Sequence, residues 1–359
     1  KKIGITGQAG FVGNHLYNTL SLDETITLVP FERTFFGNKK LLCNFVAECD
    51  VIVHLAAMNR HVDPNVIYET NIDLVSQLID ACTTEDVKPH IIFSSSSQEE
   101  KDNLYGRSKK EGKEKLIKWA QEVGSKFTSL TIPNVFGPFG KPNYNSVVAT
   151  FCHKIAHNEN PTIINDSEVG LIYINELVEI FIQSIKDFNK SGLADENVKE
   201  LKIAPTKNIK VSEILSLLQQ YKTDYLENGI FPSLEQNFEK ALFNTFRCYI
   251  PTSHYPVKFK KNTDNRGSFV EIARTNTSGQ FSYSTTVPGI TRGNHFHTRK
   301  AERFAVISGK ALIQLRKIGT DEVLDYYLDG DEPAYVDMPI WYTHNIKNIG
   351  DTELITLFW

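Results

Sequence analysis

Two groups of side chains in this 359-residue chain have the types and spacing to do chemistry. The first is Tyr105-Gly106-Arg107-Ser108-Lys109. On a helix, Tyr105 and Lys109 stand at i and i+4 and share a face. An ammonium beside a phenol favours the phenolate, lowering its pKa from ~10 toward working pH. Such a tyrosine gives or takes the proton at a carbonyl oxygen while hydride moves. Just upstream, Ser94–Ser97 ends a strand, where a hydroxyl can hold the same oxygen. Alone, Tyr105 and Lys109 would read as an ordinary surface pair; a glycine loop and a serine run ahead of them favour catalysis.

The second group is His295, His297, Glu302 and His344. In a strand, His295 and His297 point to the same face because side chains alternate. Glu302 is expected on the next strand after a short turn, and His344 just before a later one. Three imidazoles and a carboxylate form a nitrogen and oxygen donor set suited to zinc, manganese or iron. A lone buried histidine is usually structural, a reading that does not account for three of them with a glutamate at these spacings.

The elements that must position these groups change character along the chain. Lys2–Thr6, Thr25–Phe31, Val51–Ala56 and Ile91–Ser94 read as buried strands, alternating with helical patterns at Phe11–Leu20, Asn71–Cys82 and Tyr105–Gln121. That alternation predicts a parallel sheet with right-handed crossovers. Gly7, Gly10 and Gly13 follow the first strand and, with Phe11 and Val12, open the first helix, where backbone must approach a pyrophosphate closely. At the end of the next strand Glu32 suits the ribose of NAD and Arg33 the 2′-phosphate of NADP. NADPH is expected, because Arg33 can grip a phosphate with two bonds; a solvated loop charge is the plain alternative.

Val211–Tyr221 is a further amphipathic helix, and the helical period then ends near Tyr249. Short alternating runs follow at Ser268–Ala273, Gln280–Val287, Ala305–Ser308, Ala311–Arg316, Glu322–Leu328, Ala334–Met338 and Leu354–Phe358, as in an antiparallel sandwich or barrel. The chain is therefore expected to divide into 1–247, an α/β domain, and 248–359, an all-β domain.

The charge balance of 39 Lys and Arg against 43 Asp and Glu argues against nucleic acid or an anionic membrane surface as partner. No apolar run reaches the ~20 residues of a membrane helix, and no signal peptide is visible. Five scattered cysteines without a C-x-x-C predict reduced thiols in a cytoplasmic protein.

Four stretches in order, TGQAGFVG, VIVHLAA, FSSSSQ before YGRSK, and PNVFGP, resemble the short-chain dehydrogenase/reductase superfamily in its extended, nucleotide-sugar branch. The resemblance implies a Rossmann-type domain with Ser96, Tyr105 and Lys109 as catalytic trio. It also implies Lys109 on the nicotinamide ribose and Leu55, Ala56 and Ala57 along the cofactor. Gly289, His295, His297, Glu302 and Gly309, then Gly330, Pro339, His344 and Asn348, resemble the two motifs of the cupin superfamily. That implies a jelly-roll barrel with His295, His297, Glu302 and His344 as metal ligands. Trp341 stands where cupins usually carry a turn glycine, which is expected to alter that turn and cover the cavity mouth.

Joined in this order, the two halves resemble a family of bifunctional capsular-polysaccharide enzymes over essentially the whole chain. Supporting stretches include KPNYNSVVATFCHKIA, PGITRGNHFH and YTHNIKNIGDTE. The resemblance implies a UDP-linked 2-acetamido-2,6-dideoxy-4-hexulose substrate, epimerised at C3 by the cupin and reduced at C4 with NADPH on the route to an N-acetylfucosamine precursor. It further implies zinc in the cupin, a homodimer, and substrate contacts from Asn134, Lys141 and Asn145. One departure is Thr131, where relatives tend to carry Arg. Two rivals stay open: a nucleotide-sugar 4-epimerase or dehydratase with a ketoisomerase cupin, and a reductase whose cupin is a metal-stabilised dimerisation module without turnover.

Overall fold

The computed structural model describes residues 1–187, 197–260, 262–264, 267–269, 272–275 and 282–359. Residues 270, 271, 280 and 281 of two expected strands lie outside the described residues. Packing divides the chain into two compact units, one of Lys1–Val147 with Asp166–Val211, the other of Val148–Asn165 with Ser212–Trp359.

The first unit runs β1 (Lys2–Thr6), α1 (Phe11–Leu20), β2 (Thr27–Val29), α2 (Lys39–Glu48), β3 (Val51–His54), α3 (Pro64–Thr84), β4 (His90–Ser96), α4 (Leu104–Val123), β5 (Phe127–Ile132) and β6 (Asn134–Phe136). After α5 (Val147–Ala156), nearly all of which belongs to the second unit, it resumes with β7 (Glu168–Tyr173), α6 (Ile174–Asp187), β8 (Val198–Lys202) and β9 (Lys207–Lys210). Six strands form one sheet in the order β2-β1-β3-β4-β5-β8, and every pairing in it is parallel. The order reverses between β1 and β3, which in open α/β sheets is where ligands bind, beyond the carboxyl ends of the strands.

Alternation along the strands feeds two cores. Ile91 and Phe93 face a cluster with Leu42, Phe45, Leu78, Leu116 and Trp119 of α2, α3 and α4. Ile92 faces the opposite cluster, with Leu16 and Leu20 of α1 and Leu177 and Phe181 of α6. A sheet covered on both faces needs strands apolar throughout, and all six residues of β5 are buried. Helix α3 begins seven residues earlier than the expected Asn71, because Asp63 caps Asn65 and Pro64 takes the first turn, where its missing N–H costs nothing. Helices α2, α5 and α6 were not legible as periodic segments; each buries its apolar side in a core that only the tertiary fold assembles.

The second unit adds α7 (Val211–Tyr221), a π-turn at Lys222–Glu227, β10 (Ile230–Phe231) and α8 (Asn237–Arg247) to α5. The strands then follow: β11 (Val257–Lys258), β12 (Asn262–Asp264), β13 (Gly267–Phe269), β14 (Arg274–Thr275), β15 (Ser282–Thr286), β16 (Thr291–His295), β17 (Glu302–Ser308), β18 (Lys310–Lys317), β19 (Val323–Asp329), β20 (Ala334–Met338), β21 (Tyr342–Asn348) and β22 (Leu354–Phe358). Two antiparallel sheets, β11-β20-β17-β22-β15 and β16-β21-β18-β19, share one apolar core. Val306, Val336 and Leu354 enter it from one sheet, and Ile313, Leu328 and Ile346 from the other.

A buried ion pair ties the helical part of this unit to its strands. Arg303 holds Asp337 through Nε at 2.7 Å and Nη2 at 3.1 Å, and the Tyr225 hydroxyl donates to the same carboxylate. Arg247 of α8 donates to the Met338 carbonyl at 3.1 Å. The bonds between Arg303 and Asp337 pair two groups that burial would otherwise penalise heavily.

Candidate active site and metal centre

The glycine loop occupies the carboxyl end of β1. Gly7 sits at φ +77 with its α-carbon against the segment after β3, so that a side chain there would meet the Ala56 nitrogen at 2.9 Å. A β-carbon on Gly13 would lie 2.2 Å from the Gly7 carbonyl oxygen. Gly10 caps α1 without any side-chain bond, leaving the amides of the first turn, through Phe11 and Val12, available to an anion. Buried Gln8 Oε1 has no hydrogen-bond partner, and Leu55, Ala56 and Ala57 present small or apolar half-buried surface beside it. An open helix end, an orphaned polar atom and a bare floor fit a dinucleotide. Glu32 accepts from Thr34 Oγ1 at 3.3 Å, whereas Arg33 is exposed at the start of a short 3-10 turn.

Thr6 and His54, passed over at the sequence level, shape this loop. Thr6 Oγ1 meets His54 Nδ1 at 2.8 Å and accepts from the Ala56 amide at 3.3 Å. Burial holds the His54 imidazole down to about 3, so the ring is neutral at every working pH. The signal was present in VIVHLAA, where a histidine ends an otherwise apolar strand.

Ser96 ends β4, and its hydroxyl stands near enough to the Tyr105 phenol, on the first turn of α4, to favour the phenolate. Asn103 fixes that turn by accepting from the Gly106 amide at 2.7 Å. Lys109, buried one turn further on, donates to the Ser94 carbonyl at 2.9 Å, with its nitrogen 6.0 Å from the Tyr105 ring centre. The expected lowering of the phenol is overturned. Burial pushes Tyr105 up to about 12 against the opposing influence of Ser96, and Tyr144 adds to the rise. The same burial brings Lys109 down to about 8. Sequence spacing puts a cation near the phenol, but it does not report how much water both groups lose. For ketone reduction a phenol that keeps its proton is the useful state, since the carbonyl oxygen must receive one.

Asn71 of α3, also missed, links this helix to the segment after β3. Its amide donates to Ser108 Oγ at 3.0 Å and to the Met58 carbonyl at 3.1 Å, and its carbonyl accepts from the Met58 amide at 2.6 Å. Asn134 is exposed on β6 and donates to the Gly170 carbonyl at 3.3 Å. Lys141 and Asn145 lie on the exposed loop that also carries Tyr144, and Asn145 donates to the Asn59 carbonyl at 3.4 Å. Thr131 is buried and donates to Glu99 at 3.3 Å.

In the second unit, ligand-capable atoms of His295, His297, Glu302 and His344 all lie within 4.8 Å of one another. Glu302 opens β17, and Nε2 of His297 and of His344 each stand 3.0 Å from its Oε2. His344 lies inside β21 rather than before a strand, paired in register with His295 of β16. A bulge at Gly293 and Asn294, at φ +104 and +64, precedes His295. Separations near 3 Å are those of atoms about 2.1 Å from a shared ion. His344 is buried, and its Nε2 has no partner aligned for a hydrogen bond. An orphaned nitrogen within a nitrogen and oxygen donor set fits a divalent metal such as zinc. Burial alone would raise Glu302; the His344 and Lys300 nitrogens beside it outweigh burial and hold the carboxylate down to about 2.

Trp341 adopts φ +62 at the position expected to favour glycine, and is only 3% exposed. Its ring stacks on Phe296 at 5.6 Å, and its amide donates to the His297 carbonyl at 2.9 Å. The left-handed backbone costs about 1–2 kcal/mol, less than the roughly 3–5 kcal/mol lost on truncating a buried tryptophan. Trp341→Gly is therefore expected to destabilise by about 1–4 kcal/mol in urea unfolding, despite placing a glycine at this turn. An unchanged or higher midpoint would mean that strain outweighs packing here.

Comparison with known proteins agrees with both halves. Residues 3–194 match the NAD dependent epimerase/dehydratase family, and residues 262–359 match a polysaccharide biosynthesis C-terminal domain. The capsular polysaccharide assembling protein CapF of Staphylococcus aureus is 36% identical, with a TM-score of 0.66 over 100% of this chain and 95% of that one. A UDP-2-acetamido-2,6-beta-L-arabino-hexul-4-ose reductase of Pseudomonas aeruginosa is 33% identical over 100% of this chain and 94% of its own length. A UDP-N-acetylglucosamine 4-epimerase from Methanobrevibacter ruminantium, 20% identical with a TM-score of 0.56 over 70% of this chain and 98% of that one, shares the fold. The chain thus belongs to the NAD dependent epimerase/dehydratase family, in the form that ends in a polysaccharide biosynthesis domain and matches CapF from end to end.

Proposed function

We propose that the protein is a bifunctional nucleotide-sugar enzyme of capsular polysaccharide synthesis, acting in the cytoplasm as a homodimer. Residues 1–247 would serve as an NADPH-dependent reductase and residues 248–359 as a cupin jelly roll. The observation that carries the reading is the Ser96–Tyr105–Lys109 group beside an uncapped glycine loop. Full-length likeness to a hexulose reductase supports a UDP-linked 2-acetamido-2,6-dideoxy-4-hexulose as substrate.

A bound reduced nicotinamide would supply the hydride for C4. Ser96 holds the C4 oxygen, and Tyr105 donates its proton as the alkoxide forms, giving a talose-configured product. Lys109 holds the nicotinamide ribose, and Asn134, Lys141 and Asn145 contact the substrate. Before reduction, the C4 ketone makes the C3 proton acidic, since its loss leaves an enolate. His295, His297, Glu302 and His344 would hold Zn2+, a Lewis acid able to stabilise enolate charge.

The test follows absorbance at 340 nm with purified protein, NADPH and the UDP-4-keto sugar, and examines the product by NMR in D2O. Stoichiometric oxidation with deuterium at C3 is expected. Oxidation without C3 exchange would leave a reductase with a non-catalytic metal module. No oxidation, with cofactor bound, would overturn the substrate and favour a 4-epimerase or ketoisomerase.

A further inference from the structure

We propose that Arg60 and Lys141 form the subsite for the diphosphate of the nucleotide-linked substrate, an inference that rests on the reductase reading above. Arg60 Nη1 donates to two successive carbonyls, of Asn143 at 3.1 Å and of Tyr144 at 3.3 Å. Within this loop Lys141 Nζ stands 5.4 Å from the centre of the Tyr144 ring. Two cations therefore flank one aromatic residue. Asn143 adopts φ +55, a left-handed conformation that asparagine tolerates, where its carbonyl meets the guanidinium. The Asn145 bond to the Asn59 carbonyl ties the same two segments together a second time.

The arrangement leaves capacity for an anion. A guanidinium offers five N–H donors in a planar fork, and the loop carbonyls engage Nη1 alone, so the edge formed by Nη2 and Nε keeps a geometry that matches phosphate oxygens. Lys141 adds a compact point charge. Among the described residues neither cation stands within ion-pair distance of a carboxylate. The pair is also tied to the chemistry: Met58, two residues before Arg60, is bonded by Asn71, which reaches Ser108 beside Lys109. A sugar at Tyr105 would then carry its diphosphate outward between Arg60 and Lys141.

UDP titrated calorimetrically into the full-length protein, saturated with NADPH so that the cofactor site is filled, tests the subsite. Uridine followed by saturation-transfer NMR is the comparison. Arg60→Gln and Lys141→Gln are each expected to weaken UDP about tenfold or more while leaving uridine and NADPH unchanged. The salt dependence of UDP binding should flatten in both, and Arg60→Lys should recover part of the loss. UDP affinity equal to wild type in both Gln variants overturns the subsite. Equal weakening of uridine and UDP overturns it too, since Arg60 would then only hold the loop. Wild-type protein that binds NADPH but no UDP defeats the reductase reading itself, an outcome distinct from the other two.

Discussion

Tyr105→Phe is expected to lower the rate of NADPH oxidation by about 10²–10⁴-fold, the usual contribution of a positioned proton donor. The ring itself stays, so the packing around α4 is retained and the melting temperature and NADPH affinity should hold near wild type. What disappears is the hydroxyl proposed to protonate the C4 oxygen. The pH profile carries an independent check. With its pKa raised to about 12, the phenol is protonated below that value and remains a donor across the working range. Lys109 is held down to about 8, so its charge is present below that value and is lost as pH rises through it. The alkaline limb of kcat should therefore fall near pH 8, and the phenol should contribute nothing to it. A limb centred near the phenol's ordinary pKa, or a Tyr105→Phe enzyme of undiminished rate, would remove Tyr105 from the proposed role.

Removing the metal-binding set should be the largest effect on stability. Protein purified without chelator is expected to carry about one divalent ion per chain by elemental analysis, and His344→Ala to carry almost none. An ion at a thousandfold excess over its Kd stabilises a fold by about 4 kcal/mol, so dialysis against chelator should lower the melting temperature on the order of 10 °C. The effect falls on this unit because Glu302 opens β17 and His344 sits mid-strand in β21, so the ion would join strands of the two sheets. A protein free of metal as purified, with a melting temperature indifferent to chelator and to His344→Ala, would reduce the cluster to a hydrogen-bonded histidine group.

Much of the first site was legible because its information is local. A glycine trio after a strand, a serine run ending another, and a tyrosine and lysine one turn apart are each written within a few residues. The backbone periods convert those spacings into geometry. The helices Phe11–Leu20 and Val211–Tyr221 likewise begin and end where their periodicity does. The division of the chain was less legible. Residues 212–247 follow the α/β pattern in sequence and pack in the second unit, where Tyr225 and Arg247 meet Asp337 and Met338. Periodicity reports that a segment is a helix, but not which core receives its apolar face.

The sequence by itself determined the strand–helix alternation through Gln121, the short alternating runs near the carboxyl end and the family the chain belongs to. The tertiary structure alone decided the electrostatics and the supporting contacts. Tyr105 is pushed up by burial rather than lowered by Lys109, because desolvation depends on everything packed around a group and not on its neighbours in the chain. Trp341 occupies a left-handed turn because Phe296, 45 residues earlier, supplies a surface for its ring. Arg60 reaches a loop more than 80 residues away for the same reason. Such contacts join positions whose separation along the chain carries no signal, so only the folded coordinates could reveal them.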